Sequence, residues 1–575
     1  MINKNITNKR FVKSFQKNNC DKSQKLKIIP LGGQEEVGRN MTVFEYGESI
    51  VLVDMGNQFP EQDTPGIDYI IPNIDYLKGK EKNIQGVVLT HGHLDHIGAT
   101  SILLKELGFP PVIGKDLTLA LVKARLEDYE KGLSKRLKTI KIKSKNDKLK
   151  LGDFSLEFFD VEHSIMDSVG VALSTSVGTA VHMGDWSMGS QKNSTGYENL
   201  SKFQRPIILM AESLGAMKHE DGKTEEEMLN NLWGLIKEAK ERVIIGTFSS
   251  QIQRISDILK FADKLGKKVA IDGFSMKKNI EIAKELGYIK IHKNTMVDIK
   301  SINKYPDNKM IIICTGAQGE PNAAFSRIVN REHRYITLKK KDTIVFSSSV
   351  IPGNGKAIQR LKDKFYRECD NVIHEGVMSV HVSGHNNIEA IQKLIKQVRP
   401  DYFLPVYAYH HFLKEAKKVA ENIGFPSDNI FVLDNGHVIN FAKKTKPYIE
   451  KEKVDTSYVM VDGSGVGDIG EVVLHDRQLL SGDGMFVIAI NINRKTQELV
   501  GDIQIASRGF IYVKDNFRLI NDSKRIVKEV FLKKISKDHK TDLNKISKDV
   551  RKSVGAYLFQ KTQKKPMVLP MFMRI

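Results

Sequence analysis

The sequence is short of cysteine, of tryptophan and of negative charge. Its three cysteines, Cys20, Cys314 and Cys369, are too few and too scattered for a disulfide framework or a thiolate metal cage. No stretch of about eighteen apolar residues occurs, which excludes a membrane-spanning helix. The N-terminal residues lack the apolar centre of a secretory signal, so the chain reads as cytoplasmic. Acidic residues number 69 against 89 lysines and arginines, a formal net charge of +20. Such a balance suits a polyanionic partner, because each neutralised phosphate releases counterions. An AT-rich genome that favours lysine codons gives the same excess without that meaning. Lys, Asn and Ile are abundant throughout, so charge alone does not decide for nucleic acid.

What is present is a compact polar motif. Residues 87–98 read Val-Val-Leu-Thr-His-Gly-His-Leu-Asp-His-Ile-Gly. Gly86–Leu89 has the length and branching of a buried strand, and helix-like sequence runs from Ile97 to Leu107. Residues two apart at a strand end project the same way, so His91 and His93 can grip one ion from one side. Asp95 and His96 lie on the turn into the helix and face a second ion. Imidazole with carboxylate is a ligand set for zinc or another divalent first-row metal. A solvated polar loop explains one histidine here, but not three with an aspartate in six residues.

At 575 residues the chain is too long for one core and should split into about three or four domains. Residues 1–25 read as a mobile basic tail. Short apolar runs between glycine turns follow: strands are expected at Lys27–Leu31, Met41–Glu45 and Ile50–Asp54, the last with an aspartate at its tip. Residues 57–77 carry three prolines and read as a loop. Phe158–Val161 leads to His163, and Thr179–Met183 leads to Asp185. Each is a strand delivering a metal-capable side chain at its tip, and strands of one sheet bring their tips to one edge. Residues 224–380 alternate helix and strand, as a separate α/β domain does. Val380–His385 and Tyr402–Val406 read as further strands around a helix at Asn387–Val398. A charged linker at Lys443–Lys453 precedes a small α/β unit. Its strands are expected near Tyr458–Val461, Met485–Ile492, Phe510–Val513 and Met567–Met573, with basic helical sequence over Ser523–Lys552.

His-x-His-x-Asp-His after a strand, followed by His163 and Asp185, resembles the metallo-β-lactamase fold. Further motifs resemble ribonuclease J: Leu31-Gly32-Gly33-Gln34-Glu35-Glu36-Val37-Gly38, His163-Ser164-Ile165-Met166-Asp167-Ser168-Val169-Gly170 and Cys314-Thr315-Gly316-Ala317-Gln318-Gly319-Glu320-Pro321. Ile351-Pro352-Gly353-Asn354, Ser383-Gly384-His385 and Val466-Gly467-Asp468-Ile469-Gly470 add to them. The resemblance runs from about Leu26 to the end. It implies an α/β architecture: an αββα metallo-β-lactamase sandwich over 26–212 and 384–455, an inserted α/β β-CASP domain over 213–383, and a small α/β C-terminal domain over 456–575. It also implies a ribonuclease with 5′-to-3′ exonuclease and endonuclease activity in RNA turnover and maturation. The substrate would be single-stranded, 5′-monophosphorylated RNA. Homodimers or homotetramers, or a hetero-oligomer with a related subunit, would form by way of the C-terminal region.

By the family's motifs, His91, His93 and His163 would hold one zinc, and Asp185 would bridge to a second held by Asp95 and His96. Manganese suits the same ligands. Asp54 would fix the ligand loops. Glu212 matches the first acidic motif of β-CASP proteins, and His385 the histidine that meets the scissile phosphate. Asp95, Glu212 and His385 are thus the expected catalytic residues. Ser249, Ser250, Gln253, Ser383, His385, Asn386 and Asn387 fall where the RNA phosphates would be seated.

The sequence departs from the family in places. A metal-binding histidine is expected after Phe403–Val406, and Tyr407 stands there, with Ala408-Tyr409-His410-His411 after it and the family's following glutamate gone. A phenol, with a pKa of about 10, is a poor ligand near neutral pH. The second ion would then rest on Asp95, His96 and Asp185, a weakened site, because His410 and His411 sit too far along the turn. Gln253 stands for a histidine, Asn386-Asn387 for a small residue and a serine, and Met166 for a proline. Two readings follow: a working ribonuclease with a weakened second site, or a weak paralogue that binds RNA or an active sister subunit. A small-molecule thioester or lactam hydrolase is disfavoured by the inserted domain and the basic surface.

Overall fold

A computed structural model describes residues 24–60, 64–144, 147–188, 196–219, 224–351, 353–468, 470–512, 516–534 and 542–575. The basic tail expected over 1–25 lies outside them but for Gln24 and Lys25, as do Pro352, Ile469, Lys537 and Lys540. The chain divides into two units. One joins the described residues up to Gln58 with Ile71–Tyr458, and the other joins Phe59–Ile70 with Val459–Ile575.

The first unit is built on two facing sheets and a third, inserted one. One sheet has the order Tyr448–Ile449, Ile439–Phe441, Leu26–Gly32, Met41–Tyr46, Ser49–Val53, Ile84–Val88, Val112–Gly114, Thr139–Lys141. The facing sheet has the order Tyr402–Val406, Ile207–Glu212, Thr179–His182, Val169–Ser174, Phe154–Asp160, Lys148–Leu151. Alternate side chains point to opposite faces of a strand. Ile28, Phe44, Val51, Val53 and Val88 accordingly meet Leu156, Phe158, Val171, Leu173, Ile208 and Leu404 in one dry core between the sheets. The outer face of the second sheet, with Ala172, Val181, Leu209 and Phe403, packs under helix Ile388–Val398 and helix His410–Glu421. This is the expected sandwich of two sheets flanked by helices.

Ile207–Glu212 and Tyr402–Val406 are parallel neighbours, with Ile208 opposite Tyr402 and Glu212 opposite Val406. Between them in sequence lies the inserted sheet, six parallel strands in the order Met296–Val297, Lys268–Asp272, Met310–Cys314, Val243–Gly246, Thr343–Phe346, Asn371–Ile373. A parallel sheet covered on both faces reads as a near-continuous apolar run, which is why Met310-Ile-Ile-Ile-Cys314 is wholly buried. Ile245, Val269, Ile271, Ile311 and Ile313 face helices Glu225–Glu238, Ile252–Lys264 and Phe274–Glu285. Ile244, Ala270, Ile312 and Ile344 face Phe325, Leu361 and Phe365 on the other side.

Val380–His385 is not the strand that its apolar alternation suggests. Val380 and Val382 pack on the insert's core, but the backbone is held by side chains instead of a neighbouring strand. Asn231 donates its amide to Ser379 O (2.9 Å) and the Ser347 hydroxyl donates to Val380 O (2.8 Å).

In the second unit, Met485–Ile492 lies between Gln504–Arg508 and Met567–Arg574. Its strict alternation buries Phe486, Ile488, Ile490 and Ile492 against helices Phe517–Lys534 and Leu543–Thr562. The third strand is therefore Gln504–Arg508 and not Phe510–Tyr512, while Val513 of the expected strand lies outside the described residues. At that point the Ser507 hydroxyl accepts from Ile511 N–H (3.3 Å) and turns the chain out of the sheet. Among the described residues no helix is long and apolar enough to cross a membrane.

One buried ion pair locks the insert. The Arg242 guanidinium grips Asp342 through both oxygens, at 2.9 and 2.6 Å, with the two side chains 3% and 0% exposed. Removing one partner of a buried pair strands the other's charge, at a cost of about 3–5 kcal/mol. Asp342→Ala should therefore bring the denaturant-induced unfolding of the full chain to lower denaturant by that margin, followed by circular dichroism.

Candidate metal centre

The strand Ile84–Val88 ends in Leu89-Thr90-His91, and helix Leu94–Ile97 begins directly after His93. That short passage carries four potential ligands, and two other strand tips supply the rest. Thr179–His182 is followed by Gly184-Asp185, and Phe154–Asp160 by His163. The tips meet. His91 Nε2 lies 3.0 Å from His93 Nδ1, and His163 Nε2 lies 3.1 Å from the same atom. Asp185 Oδ2 stands 3.9 Å from His91 Nε2 and 3.6 Å from His163 Nε2. A second group joins at Asp185: its Oδ1 is 3.2 Å from His96 Nε2, and Asp95 Oδ2 is 3.5 Å from that nitrogen. The expected four-plus-three ligand set thus converges, with Asp185 common to both groups.

The hydrogen bonds at the back of each ring decide what faces inward. Gly384 O accepts from His163 Nδ1–H at 2.8 Å, and Asp54 Oδ2 accepts from His96 Nδ1–H at 2.7 Å. With the proton committed there, each Nε2 presents a bare lone pair. A Cβ at Gly384 would stand 2.6 Å from Ser164 Cβ, so only glycine lets this carbonyl come so close to the histidine loop. Gly56 does the same for the other loop, where a Cβ would overlap Asp95 O.

Burial pushes the imidazoles of His91, His93 and His163 below the ordinary range, His93 to about 4 and His163 to about 3. For His91 the neighbouring imidazoles add to the effect. Three neutral nitrogens whose lone pairs converge repel each other and have no proton to share, whereas a divalent cation satisfies all three. His96 behaves oppositely. Burial opposes its charge, but the carboxylates of Asp185, Asp95 and Asp54 outweigh burial and hold it well above the ordinary value. Burial likewise disfavours charge on Asp185, yet His96 keeps its carboxyl well below the usual range. The residues fit a metal pair by donor type and by arrangement.

Asp54 ties the Thr90–His96 loop to its own strand tip. It is fully buried at the tip of Ser49–Val53 and accepts from Thr90 N–H (2.8 Å), the Thr90 hydroxyl (3.0 Å) and His96. It also accepts from the Tyr407 hydroxyl at 3.3 Å. Burial and the Asp54 charge push the Tyr407 phenol well above its ordinary value, so it stays a neutral donor to Asp54. His410 does not replace it. Its Nδ1 lies 3.2 Å from Asp434 Oδ1 in a separate, more exposed group with Glu35.

His385 closes the other side. Its Nδ1 is 3.6 Å from Glu212 Oε2 and 3.9 Å from Asp185 Oδ2. Burial lowers its pKa, but these carboxylates, Glu212 first, raise it to about 9. Glu212 is held by Leu214 N–H and by the Asn386 amide, both at 2.6 Å. Asn386 is thereby committed to Glu212, and Asn387 caps helix Ile388–Val398 by accepting from Ala390 N–H at 2.7 Å. Ser383 is exposed and accepts from His385 N–H at 3.2 Å. Ser249, Ser250 and Gln253 lie beyond the tip of Val243–Gly246 in the insert, where Gln253 donates to Asp257 at 2.9 Å. No contact joins these three to the metal cluster.

One residue escaped the sequence reading. Asn40, just before the strand Met41–Tyr46, is 2% exposed and sets Nδ2 at 2.9 Å from His96 Nε2 and 3.5 Å from Asp95 Oδ2. Nothing in its local sequence signals this, because its place is fixed by backbone pairing to the distant Asp95 loop.

Family models agree along the chain. Residues 35–185 match the metallo-beta-lactamase superfamily, 240–365 the beta-CASP domain of ribonuclease J, and 472–575 the ribonuclease J C-terminal domain. The chain is 32% identical to ribonuclease J2 of Bacillus subtilis, over 96% of this chain and 99% of that one. Identity to ribonuclease J 1 of Streptococcus pyogenes serotype M3 is also 32%, over 96% and 98%. To ribonuclease J of Helicobacter pylori it is 32%, over 96% of this chain and 80% of that one. A solved protein of unknown function from Enterococcus faecalis shares the fold over 72% of this chain and all of its own, with a TM-score of 0.50 and 14% identity. The chain belongs to the ribonuclease J family of nucleases.

Proposed function

We propose that this protein hydrolyses phosphodiester bonds in single-stranded, 5′-monophosphorylated RNA, from the 5′ end and internally, with two divalent ions, zinc or manganese. The observation that carries this reading is the convergence of three neutral imidazole nitrogens and one bridging carboxylate from three strand tips. On it, His91, His93, His163 and Asp185 hold one ion, and Asp95, His96 and Asp185 the other. Such ions supply an activated water and neutralise charge on the phosphoryl group.

The chain's own groups do the rest. Glu212, fixed by Leu214 and Asn386, keeps His385 protonated near neutral pH. The charged His385 ring is then a donor to a phosphate oxygen where charge grows in the transition state. Ser383 and His385 seat the scissile phosphate, and Ser249, Ser250 and Gln253 lie along the strand's path over the insert. The positive balance of +20 favours the polyanion. Domain bounds of 26–212 with 384–455, 213–383, and 456–575 follow the same reading, and the three family matches fall inside them.

The second reading, a catalytically idle subunit that binds RNA or an active relative, is favoured by one feature: the Tyr407 phenol is spent on Asp54. End-labelled 5′-monophosphorylated RNA separates the two. Wild type reconstituted with zinc or manganese should shorten it, and His93→Ala should abolish cleavage while leaving RNA binding by filter retention intact. Cleavage that survives at the wild-type rate in His93→Ala would overturn the metal-dependent reading. No cleavage by wild type, with RNA still bound, would favour the idle subunit.

Tyr407 gives a second test. Tyr407→Phe should leave metal content by elemental analysis unchanged, because a neutral phenol holds no ion. Tyr407→His should strengthen the second ion by about tenfold or more and raise the turnover number.

A further inference from the structure

We propose that the Asn40 carboxamide oxygen is a ligand of the second ion, in the coordination place that Tyr407 leaves. This rests on the two-ion reading above and extends it to a residue that the ligand motifs do not include. Ligand atoms about 2.0–2.2 Å from an ion stand about 3.3–3.6 Å from one another in a tetrahedral shell. Around His96 Nε2 the separations are 3.2 Å to Asp185 Oδ1, 3.5 Å to Asp95 Oδ2 and 2.9 Å to the Asn40 amide. The Asn40 amide is in turn 3.5 Å from Asp95 Oδ2. Asp185 Oδ1, Asp95 Oδ2 and the Asn40 amide thus stand around His96 Nε2 near the separations of one coordination shell.

The second observation is an orphan. Asn40 Oδ1 is buried and has no hydrogen-bond partner, while Nδ2 points at the lone pair of His96. A half-turn of the amide exchanges its two ends and brings the oxygen into the shell. That oxygen then gains the partner it lacks, and His96 Nε2 gives its lone pair to the ion instead of accepting from an amide. The backbone of Asn40 is held in place. Its N–H donates to Asp95 O at 3.1 Å, its carbonyl accepts from Gly56 N–H at 2.9 Å, and Gly33 presses on Oδ1 so closely that a Cβ there would come within 2.4 Å. The residue is tied to the backbone of the very loop that carries Asp95 and His96.

The donor sets then differ between the two sites. His91, His93, His163 and Asp185 give three nitrogens and one oxygen, a set for zinc. Asn40, Asp95, Asp185 and His96 give three oxygens and one nitrogen, and carboxylate with carbonyl oxygen favours a harder ion such as manganese. A chain without a histidine at position 407 would on this account hold a mixed pair.

Calorimetric titration of Mn2+ into full-length protein preloaded with one equivalent of Zn2+ tests this, alongside the low-temperature electron paramagnetic resonance of the bound manganese. Wild type should take up one Mn2+. Asn40→Ala should weaken it by about tenfold or more and leave the zinc in place, and the isosteric Asn40→Asp should tighten it. Asp95→Ala is the control for the site itself. If Asp95→Ala loses the manganese while Asn40→Ala and Asn40→Asp match wild type, the Asn40 assignment is wrong and the two-ion reading stands. Tighter binding in Asn40→Ala would make Asn40 a plug and equally overturn the assignment. If wild type takes up no second ion, the two-ion reading itself fails, and the assignment with it. Should Asn40→Ala not fold, Asn40→Asp decides alone: manganese held no more tightly than in wild type would overturn the proposal.

Discussion

The buried carboxylate of Asp54 is the constraint on which the metal centre depends. It sits in the left-handed backbone region, φ 64°, at the tip of an inner strand. From there it gathers the Thr90 backbone and hydroxyl, the His96 ring and the Tyr407 hydroxyl. Those groups come from two strand tips, one in each sheet of the sandwich. A buried carboxylate without partners costs several kcal/mol. The tips must therefore come together for Asp54 to be tolerated at all, and the ligands on them are positioned as a by-product.

The charge pattern around this anchor is divided. Three imidazoles on one side are kept neutral by burial, while neighbouring carboxylates raise His96 and His385 above the ordinary range. His96 faces Asp54, Asp95 and Asp185, and His385 faces Glu212 and Asp185. The same residue type thus serves as lone-pair donor in the buried trio and as cation at His385, which stands beside two carboxylates. Asp185 belongs to all three neighbourhoods. That shared carboxylate is why the parts of the site act together.

Much of this was legible in the sequence because it rests on local pattern. His91, His93, Asp95 and His96 stand within six residues, and His163 and Asp185 each follow an apolar run that could only be a strand. The inserted sheet was legible from the alternation of helical and strand periods, and Met310–Cys314 from its unbroken apolar run. What was not legible depends on pairing over distance. Asn40 is placed by hydrogen bonds to the Asp95 loop, and Asn386 is spent on Glu212, far away in sequence. Val380–His385 has the alternation of a strand, but strand identity also needs a neighbour, and here side chains of Asn231 and Ser347 take that place. Tyr407 stands out in the sequence against the motif it resembles. Its attachment to Asp54 could not be read from a motif.

The two-sheet sandwich is interrupted in sequence at the strand pair where Glu212 stands opposite Val406. The first strand of the other sheet, Leu26–Gly32, pairs on one side with Ile439–Phe441, near the far end of the same unit. During synthesis both sheets therefore wait with an open edge until the insert has been made and passed, and such edges invite pairing with other chains. The insert closes its own sheet from contiguous sequence and has no need to wait. A ribosome halted before Tyr402 would carry a folded insert beside a half-built sandwich, with Asp54 still lacking its tyrosine partner. On the translating ribosome the sandwich thus stays incomplete until Ile439–Phe441 has been made.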